Sequence, residues 1–206
     1  MKLYGHPLSG NVHRAQALLE VLGVPYAYIT VDLKAGEHKS PEFLALNPLG
    51  QVPVLVDGDV VLRDSIAIMT YVAGKHDPDG AWFPNDVAAR AKVQEWLSTA
   101  VNDIQNGPFA LRAIKLFGSK VAPALARART EQLFGDLFEP RLARHDWLVG
   151  DRPSAADLAC YGYVARVTEG EFDLAPYPAI RAWIARVEGI ENFPPMVRME
   201  ELTASA

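Results

Sequence analysis

The sequence predicts an α/β domain followed by an all-α domain, and three observations carry that prediction. Short apolar, β-branched runs occur at 2–5, 26–31, 54–56 and 60–62, all in the first third of the chain. From about residue 86 onward the apolar residues recur at helical spacing. Between the two lies a stretch rich in turn formers, Asp77-Pro78-Asp79-Gly80 and Phe83-Pro84-Asn85-Asp86, which reads as a linker. A chain of 206 residues has room for two small domains. The expected boundaries are 1–76 for the first, 77–86 for the linker and 87–206 for the helical domain.

Residues 2–5 form the first strand. His6-Pro7-Leu8-Ser9-Gly10 is loop, and a helix follows with Val12, Ala15, Leu19 and Leu22 on one face. Gly23-Val24-Pro25 stops it. The run 26–31 is a second strand, parallel to the first if the helix is a right-handed crossover. Ser40-Pro41 is an N-cap and first-turn pair that opens a short helix through Leu46. The strands 54–56 and 60–62 flank Asp57-Gly58-Asp59, a hairpin turn. Residues 65–75 are helical again. Asp86 then caps a long helix through about Phe117, bent at Gly107-Pro108. A second covers about 121–145, with Pro140 as a kink or break. Ser154-x-x-Asp157 opens a third, to about Thr168, and Pro178 opens a fourth, through Glu188.

A net charge of -5 argues against a nucleic-acid footprint, which is normally basic. No apolar run approaches the roughly 18 residues of a membrane span, and the first residues lack the apolar core of a secretory signal. The one cysteine, Cys160, excludes an internal disulfide, a CxxC redox centre and a multi-cysteine metal site. The five histidines are scattered without metal-ligand spacing. The expectation is a cytoplasmic protein that uses no metal and no tightly bound cofactor.

The densest signal is Asn47-Pro48-Leu49-Gly50-Gln51-Val52-Pro53-Val54-Leu55, with Asp64-Ser65 shortly after it. A proline just before a strand has no N–H for the ladder and belongs at an edge, a strand's first residue or a special turn. X-Pro is also where a cis bond costs least. A cis Pro53 would turn the Val52 backbone outward, free to pair with an extended peptide. Asp64-Ser65 puts a carboxylate and a hydroxyl at a helix N-terminus, a place to hold a charged end. Together they suggest a small-peptide site.

These residues, with Ser9-Gly10-Asn11 after the first strand, resemble the glutathione S-transferase superfamily. The second domain adds Leu148-Val149-Gly150-Asp151-Arg152-Pro153-Ser154-Ala155-Ala156-Asp157 and Tyr177-Pro178-Ala179-Ile180-Arg181-Ala182-Trp183. The resemblance covers essentially the whole chain and is nearest the serine-type, theta-, delta- or nu-like bacterial forms. It implies a thioredoxin-like N-terminal domain plus an all-α helical C-terminal domain, glutathione as co-substrate, a small hydrophobic electrophile and a homodimer.

The resemblance also implies roles. Ser9 would donate its hydroxyl to the glutathione thiolate at a helix end that favours anions, although serine there is by default a plain N-cap. Asn11 competes for the same sulfur through its amide, and Tyr4 is a core residue with a weaker claim. The backbone of Val52, before a cis Pro53, would pair with the cysteinyl unit. Asp64 and Ser65 would hold the γ-glutamyl end, with Asp64 one carbon shorter than the glutamate many relatives carry. His38 and Lys39 are candidates for the glycyl carboxylate, with Gln51 beside them; solvated loop accounts for the two cations equally well. Ser154 and Asp157 are read as a structural capping box, and Cys160 as an inert core thiol. Asn102 and Asp103 could reach a partner's site across a dimer. Phe109, Leu111, Ile114 and Phe117 are apolar enough to line the electrophile pocket. The expected activity is conjugation of glutathione to an electrophile. The rivals are glutathione-dependent disulfide or peroxide reduction, in which Asn11 outweighs Ser9, and a binding protein without turnover.

Overall fold

Four short strands make one mixed sheet near the start of the chain. In the computed structural model, which describes residues 1–204, these are β1 (Lys2–Gly5), β2 (Ala27–Thr30), β3 (Val54–Asp57) and β4 (Val60–Leu62), in the order β2-β1-β3-β4. β1 and β2 are parallel, with Lys2 opposite Ala27 and Gly5 opposite Thr30. The helix between them, α1 (Gly10–Val21), is the expected crossover. β3 runs antiparallel to β1, Tyr4 facing Val54, and β4 antiparallel to β3, Leu55 facing Leu62.

The pleat sorts side chains to two faces. Leu3 and Leu55, both fully buried, share one face with Gly5. A Cβ on Gly5 would run into the Val12 side chain of α1, so this is the face that α1 covers. Tyr4, Val54 and Val56 lie on the other face with Val31 and with Phe43 of α2 (Pro41–Leu46). The Tyr4 ring meets Phe43 edge-on at 6.4 Å, so Tyr4 is a packing residue. A third helix, α3 (Ser65–His76), packs against α1.

The register has a consequence for the connections. β1 and β2 both end, β3 begins and β4 ends on the same side of the sheet. The segments 6–9, 31–40, 47–53 and 63–64 therefore gather at one end.

The chain divides into two compact units, Met1–Gly80 together with the segment from Glu191 onward, and Ala81–Ile190. The sequence reading assigned all of 87–206 to the helical domain; of the described residues, those from Glu191 to Ala204 join the first unit instead. Long-range contacts decide this. His13 Nε2 of α1 lies 2.7 Å from the Pro194 carbonyl oxygen, and the His13 ring packs edge-on against Phe193 at 5.4 Å.

The second unit is helical: α4 (Val87–Val101), α5 (Asp103–Asn106), α6 (Pro108–Phe117), α7 (Pro123–Gln132), α8 (Glu139–Leu142), α9 (Ala155–Ala165) and α10 (Pro178–Glu188). Every residue of α9 is buried. The single helix expected through Phe117 is in fact three, broken at Asn102 and Gly107. Gly107 sits so close to α7 that a Cβ there would lie 3.1 Å from Thr130 Oγ1. The helix expected at about 121–145 passes through a π-helical turn, Leu133–Phe138, just before Pro140. There the Glu139 N–H donates five residues back, to Phe134 O. Widening the helix at this point accommodates a proline that has no N–H to give. The chain closes with α11 (Met199–Ala204), in the first unit.

Candidate functional site

Ser9 is the N-cap of α1, with extended backbone (φ -88°, ψ 113°), and its Oγ accepts the Val12 N–H at 3.3 Å. That bond uses a lone pair and leaves the hydroxyl proton uncommitted among the described residues. No acidic side chain stands in the first turn of α1, so nothing on the helix opposes an anion at its N-terminus. Asn11, half-buried in that turn, has no partner for its amide among the described residues.

The loop before β3 is tightly made. The Val52–Pro53 peptide bond is cis. Gly50 takes a left-handed conformation (φ 57°), and its N–H donates to Asn47 O at 2.8 Å. Val52 packs its side chain on the Val31–Phe43–Val54 cluster. Neither its N–H nor its C=O bonds to a described residue. Gln51 is exposed with a free side-chain amide, while its carbonyl accepts from Asn47 Nδ2 at 2.7 Å.

Asp64 is the N-cap of α3. Its Oδ1 accepts the N–H groups of Ile66 and Ala67, each at 2.9 Å, and the side chain is otherwise exposed. Ser65 is only 5% exposed, yet its hydroxyl has no partner among the described residues. His38 and Lys39 sit in a 3₁₀ turn, Glu37–Lys39. His38 Nδ1 is buried without a partner among the described residues. Lys39 Nζ donates to Leu49 O at 3.1 Å and Gly50 O at 3.2 Å.

Ser9, Asn11, His38, Lys39, Gln51, Val52, Pro53, Asp64 and Ser65 thus all lie at the end of the sheet where the four connections meet. Two helix N-termini and one unpaired stretch of backbone sit at that end. This arrangement can hold an extended, doubly charged peptide and lower the pKa of a thiol set at the α1 end. A thiol's free value near 8.5 falls to between ~3.5 and 7.5 in such places.

The other candidates stand elsewhere. Asn102 and Asp103 line a cavity of about 460 Å³ in the helical unit, between the α4–α5 junction and the π-helical turn. Leu111 is buried against Gly170: a Cβ on that glycine would lie 2.8 Å from Leu111 Cβ. Phe109 packs on Tyr163 with ring centres 4.7 Å apart, Ile114 is half-buried, and Phe117 is 60% exposed. Cys160 is buried, its thiol on Trp96 O. Asp157 is fully buried and completes a capping box with Ser154. Burial pushes its carboxyl above the usual carboxylate range, against the pull of its donors. The residue the sequence reading passed over is Asn47, whose position before proline is a turn-initiating signal. Among the described residues no cluster of His, Cys, Asp and Glu could hold a metal ion, and no helix is long and apolar enough to cross a membrane.

Comparison with known proteins finds chains similar to this one over most of its length. Residues 1–74 match the family model for the glutathione S-transferase N-terminal domain, and residues 111–191 the model for the C-terminal domain. Glutathione S-transferase 3 of Zea mays is 37% identical over 193 residues, covering 89% of this chain and 86% of the relative. Among solved structures, a glutathione S-transferase from Xanthobacter autotrophicus superposes with a TM-score of 0.88 at 32% identity, covering 98% of each chain. A glutathione transferase homologue from Drosophila mojavensis with bound glutathione gives 0.83 at 30% identity, covering 92% of this chain and 88% of that one.

Proposed function

The chain belongs to the glutathione S-transferase superfamily, and we propose that it conjugates the glutathione thiolate to a small hydrophobic electrophile, with Ser9 as the thiolate's hydrogen-bond donor. The observation that carries this reading is the meeting of the α1 N-terminus, the unpaired Val52 backbone and the α3 N-terminus at one end of the sheet. Extended glutathione has matching parts: a thiol, a peptide backbone at its cysteinyl unit and a zwitterionic γ-glutamyl end. The Ser65 hydroxyl and α3 N–H groups would take the γ-glutamyl carboxylate, and Asp64 its ammonium. The sulfur then attacks the electrophilic carbon. A C–S bond forms, and the leaving group departs with its electron pair, or an epoxide oxygen takes it.

Activation of the thiol falls to the helix N-terminus and one or two side-chain donors, and positioning of two substrates supplies the rest. Homodimeric assembly, a cytoplasmic setting and a detoxifying role go with the family resemblance; sedimentation at twice the chain mass is the check on the first.

One observation favours a second reading. The Asn11 amide, in the same turn, is uncommitted as the Ser9 hydroxyl proton is, so it is a second available donor. If Asn11 is the thiolate's donor, glutathione-dependent disulfide reduction becomes the better description. Titrating the absorbance of bound thiolate against pH separates the two. Ser9→Ala is expected to raise the thiol's apparent pKa and lower conjugation rate about 10–150-fold, as for loss of a hydrogen bond to a charged group. A rise with Asn11→Ala and none with Ser9→Ala would transfer the role to Asn11.

A further inference from the structure

A second cavity, of about 520 Å³, lies in the first unit, at the end of the sheet opposite the gathered connections. The C-terminal end of α1, the loop that leads into β2, and Asn192 line it. Glu20, in the last turn of α1, brings the charge. An acidic side chain is unfavourable there, because the helix dipole is already negative at that end. No basic side chain in that turn offsets it. Glu20 Oε1 accepts the Tyr26 hydroxyl at 2.6 Å, and Oε2 has no partner among the described residues.

Tyr26 and Tyr28 stand two residues apart along an edge strand, so both side chains lie on one face of it. That face is the one α1 covers, since Tyr28 stands opposite Leu3. The Tyr28 hydroxyl is buried over Gly5, where a Cβ would sit 2.9 Å from it. Its ring, and not its hydroxyl, therefore faces the cavity. Asn192 holds a left-handed backbone (φ 60°), which asparagine tolerates better than most residues. Its side-chain amide has no partner among the described residues.

We propose that this cavity binds a small primary ammonium ion with an alkyl body. Glu20 Oε2 and Asn192 Oδ1 are acceptors for its N–H groups, and an ammonium is a donor only. The α1 C-terminus adds a favourable field. The rings of Tyr26 and Tyr28 attract a cation on their faces and cover its methylene groups, with Val24 and Pro25 extending the apolar surface. A volume of this order suits a small ligand. An anion would be repelled by Glu20 and by the helix end alike. A quaternary ammonium would satisfy the rings and give the two acceptors no hydrogen. The site is separate from the proposed glutathione site and does not depend on that reading.

Titration of the full chain, followed by amide NMR, tests the proposal with three probes: hexylammonium, hexanol and hexyltrimethylammonium. Hexylammonium should shift the Gly23, Val24, Tyr26 and Asn192 amides saturably, with a dissociation constant of about 1 mM or tighter. Hexanol should leave them in place at the same concentrations, and hexyltrimethylammonium should bind at least about threefold more weakly. Glu20→Gln keeps an acceptor for the Tyr26 hydroxyl and removes the charge, so it should fold and bind hexylammonium about tenfold or more weakly. Tyr26→Leu should weaken it about three- to tenfold. Saturating glutathione should not displace the amine. Equal binding of hexanol would reduce the cavity to an apolar patch. Wild-type affinity in Glu20→Gln, shifts confined to other residues, or displacement by glutathione would each overturn the proposal.

Discussion

Asp64 and Asp157 each help to cap a helix and do opposite things with the same chemistry. Asp64, at the start of α3, spends one oxygen on two N–H groups and leaves the rest of its carboxylate exposed. Asp157, in the first turn of α9, spends both. Its Oδ1 accepts from Leu148 N–H at 3.0 Å and Trp183 Nε1 at 2.9 Å, and its Oδ2 from Ser154 N–H at 2.9 Å and Ser154 Oγ at 3.2 Å. A saturated carboxylate in the core can only hold structure together. One with free lone pairs, beside a hydroxyl that also lacks a partner, is equipped to hold a ligand. The residue type does not separate the two roles; what separates them is how many of the group's bonding positions the fold has already filled.

The largest effect should come from the saturated site. Asp157→Ala strands two backbone N–H groups, an indole N–H and a serine hydroxyl inside the helical unit. Unsatisfied buried donors cost about 1–3 kcal/mol each, with partial relief from relaxation, so a loss of roughly 3–5 kcal/mol is expected. Denaturant unfolding measures it. The fraction that still folds should bind glutathione with wild-type affinity; a stable variant that has lost binding would break the comparison.

Ser65→Ala is the counterpart at the open site. The hydroxyl has no partner among the described residues, so stability should change by less than about 0.5 kcal/mol. Glutathione affinity should fall about tenfold or more, since a hydrogen bond to a charged group is worth ~1.5–3 kcal/mol. Calorimetry showing unchanged affinity would remove the α3 end from the site.

This division explains what could be read from the chain beforehand. Caps and turns act over three or four residues, so Ser40-Pro41, Asp64 and Ser154-x-x-Asp157 marked their helices, and Asp57-Gly58-Asp59 its hairpin. Val52-Pro53 stood out because proline before a strand has few places to be. The misreadings have long-range causes. The helix expected to bend at Gly107-Pro108 is interrupted there and also at Asn102, and this second interruption has no local signal in the sequence. The segment after Glu191 joins the first unit through His13, a residue 181 positions from its partner Pro194. Asn47 lay within the strongest motif, yet its bond to Gln51 O depends on where that carbonyl points, which only the folded loop defines.

A smaller effect separates charge from capping at Asp64. Asparagine is as good an N-cap as aspartate, so Asp64→Asn should keep the bonds to Ile66 and Ala67 and stay within about 0.5 kcal/mol of wild type. Losing the negative charge should weaken glutathione about three- to tenfold, through the γ-glutamyl ammonium. If Asp64→Asn binds normally while Asp64→Ala does not, the residue serves only as a cap.

A third carboxylate sharpens the comparison with the smallest effect. Asp57, at the end of β3, is partly exposed, yet its Oδ2 accepts from Lys75 Nζ at 2.5 Å and Tyr71 hydroxyl at 2.8 Å. These donors hold its carboxyl below the usual value of 3.8, and the same pairing raises the Lys75 ammonium above 10.5. The signs follow from which state binds protons more tightly. Asp57's contribution to stability is complete above the ordinary carboxylate range and is lost as pH falls through its lowered folded value. Lys75's contribution is complete below its ordinary value and is lost as pH rises through its raised one. Lys75→Met should therefore lower Tm slightly at neutral pH, less in high salt, and the difference should vanish in strong acid. Asp57, like Asp64, has only one oxygen filled, but it stands at the end of β3 away from the gathered connections, so glutathione affinity should not move. A drop in affinity would show that position on the sheet does not tell a structural aspartate from a binding one.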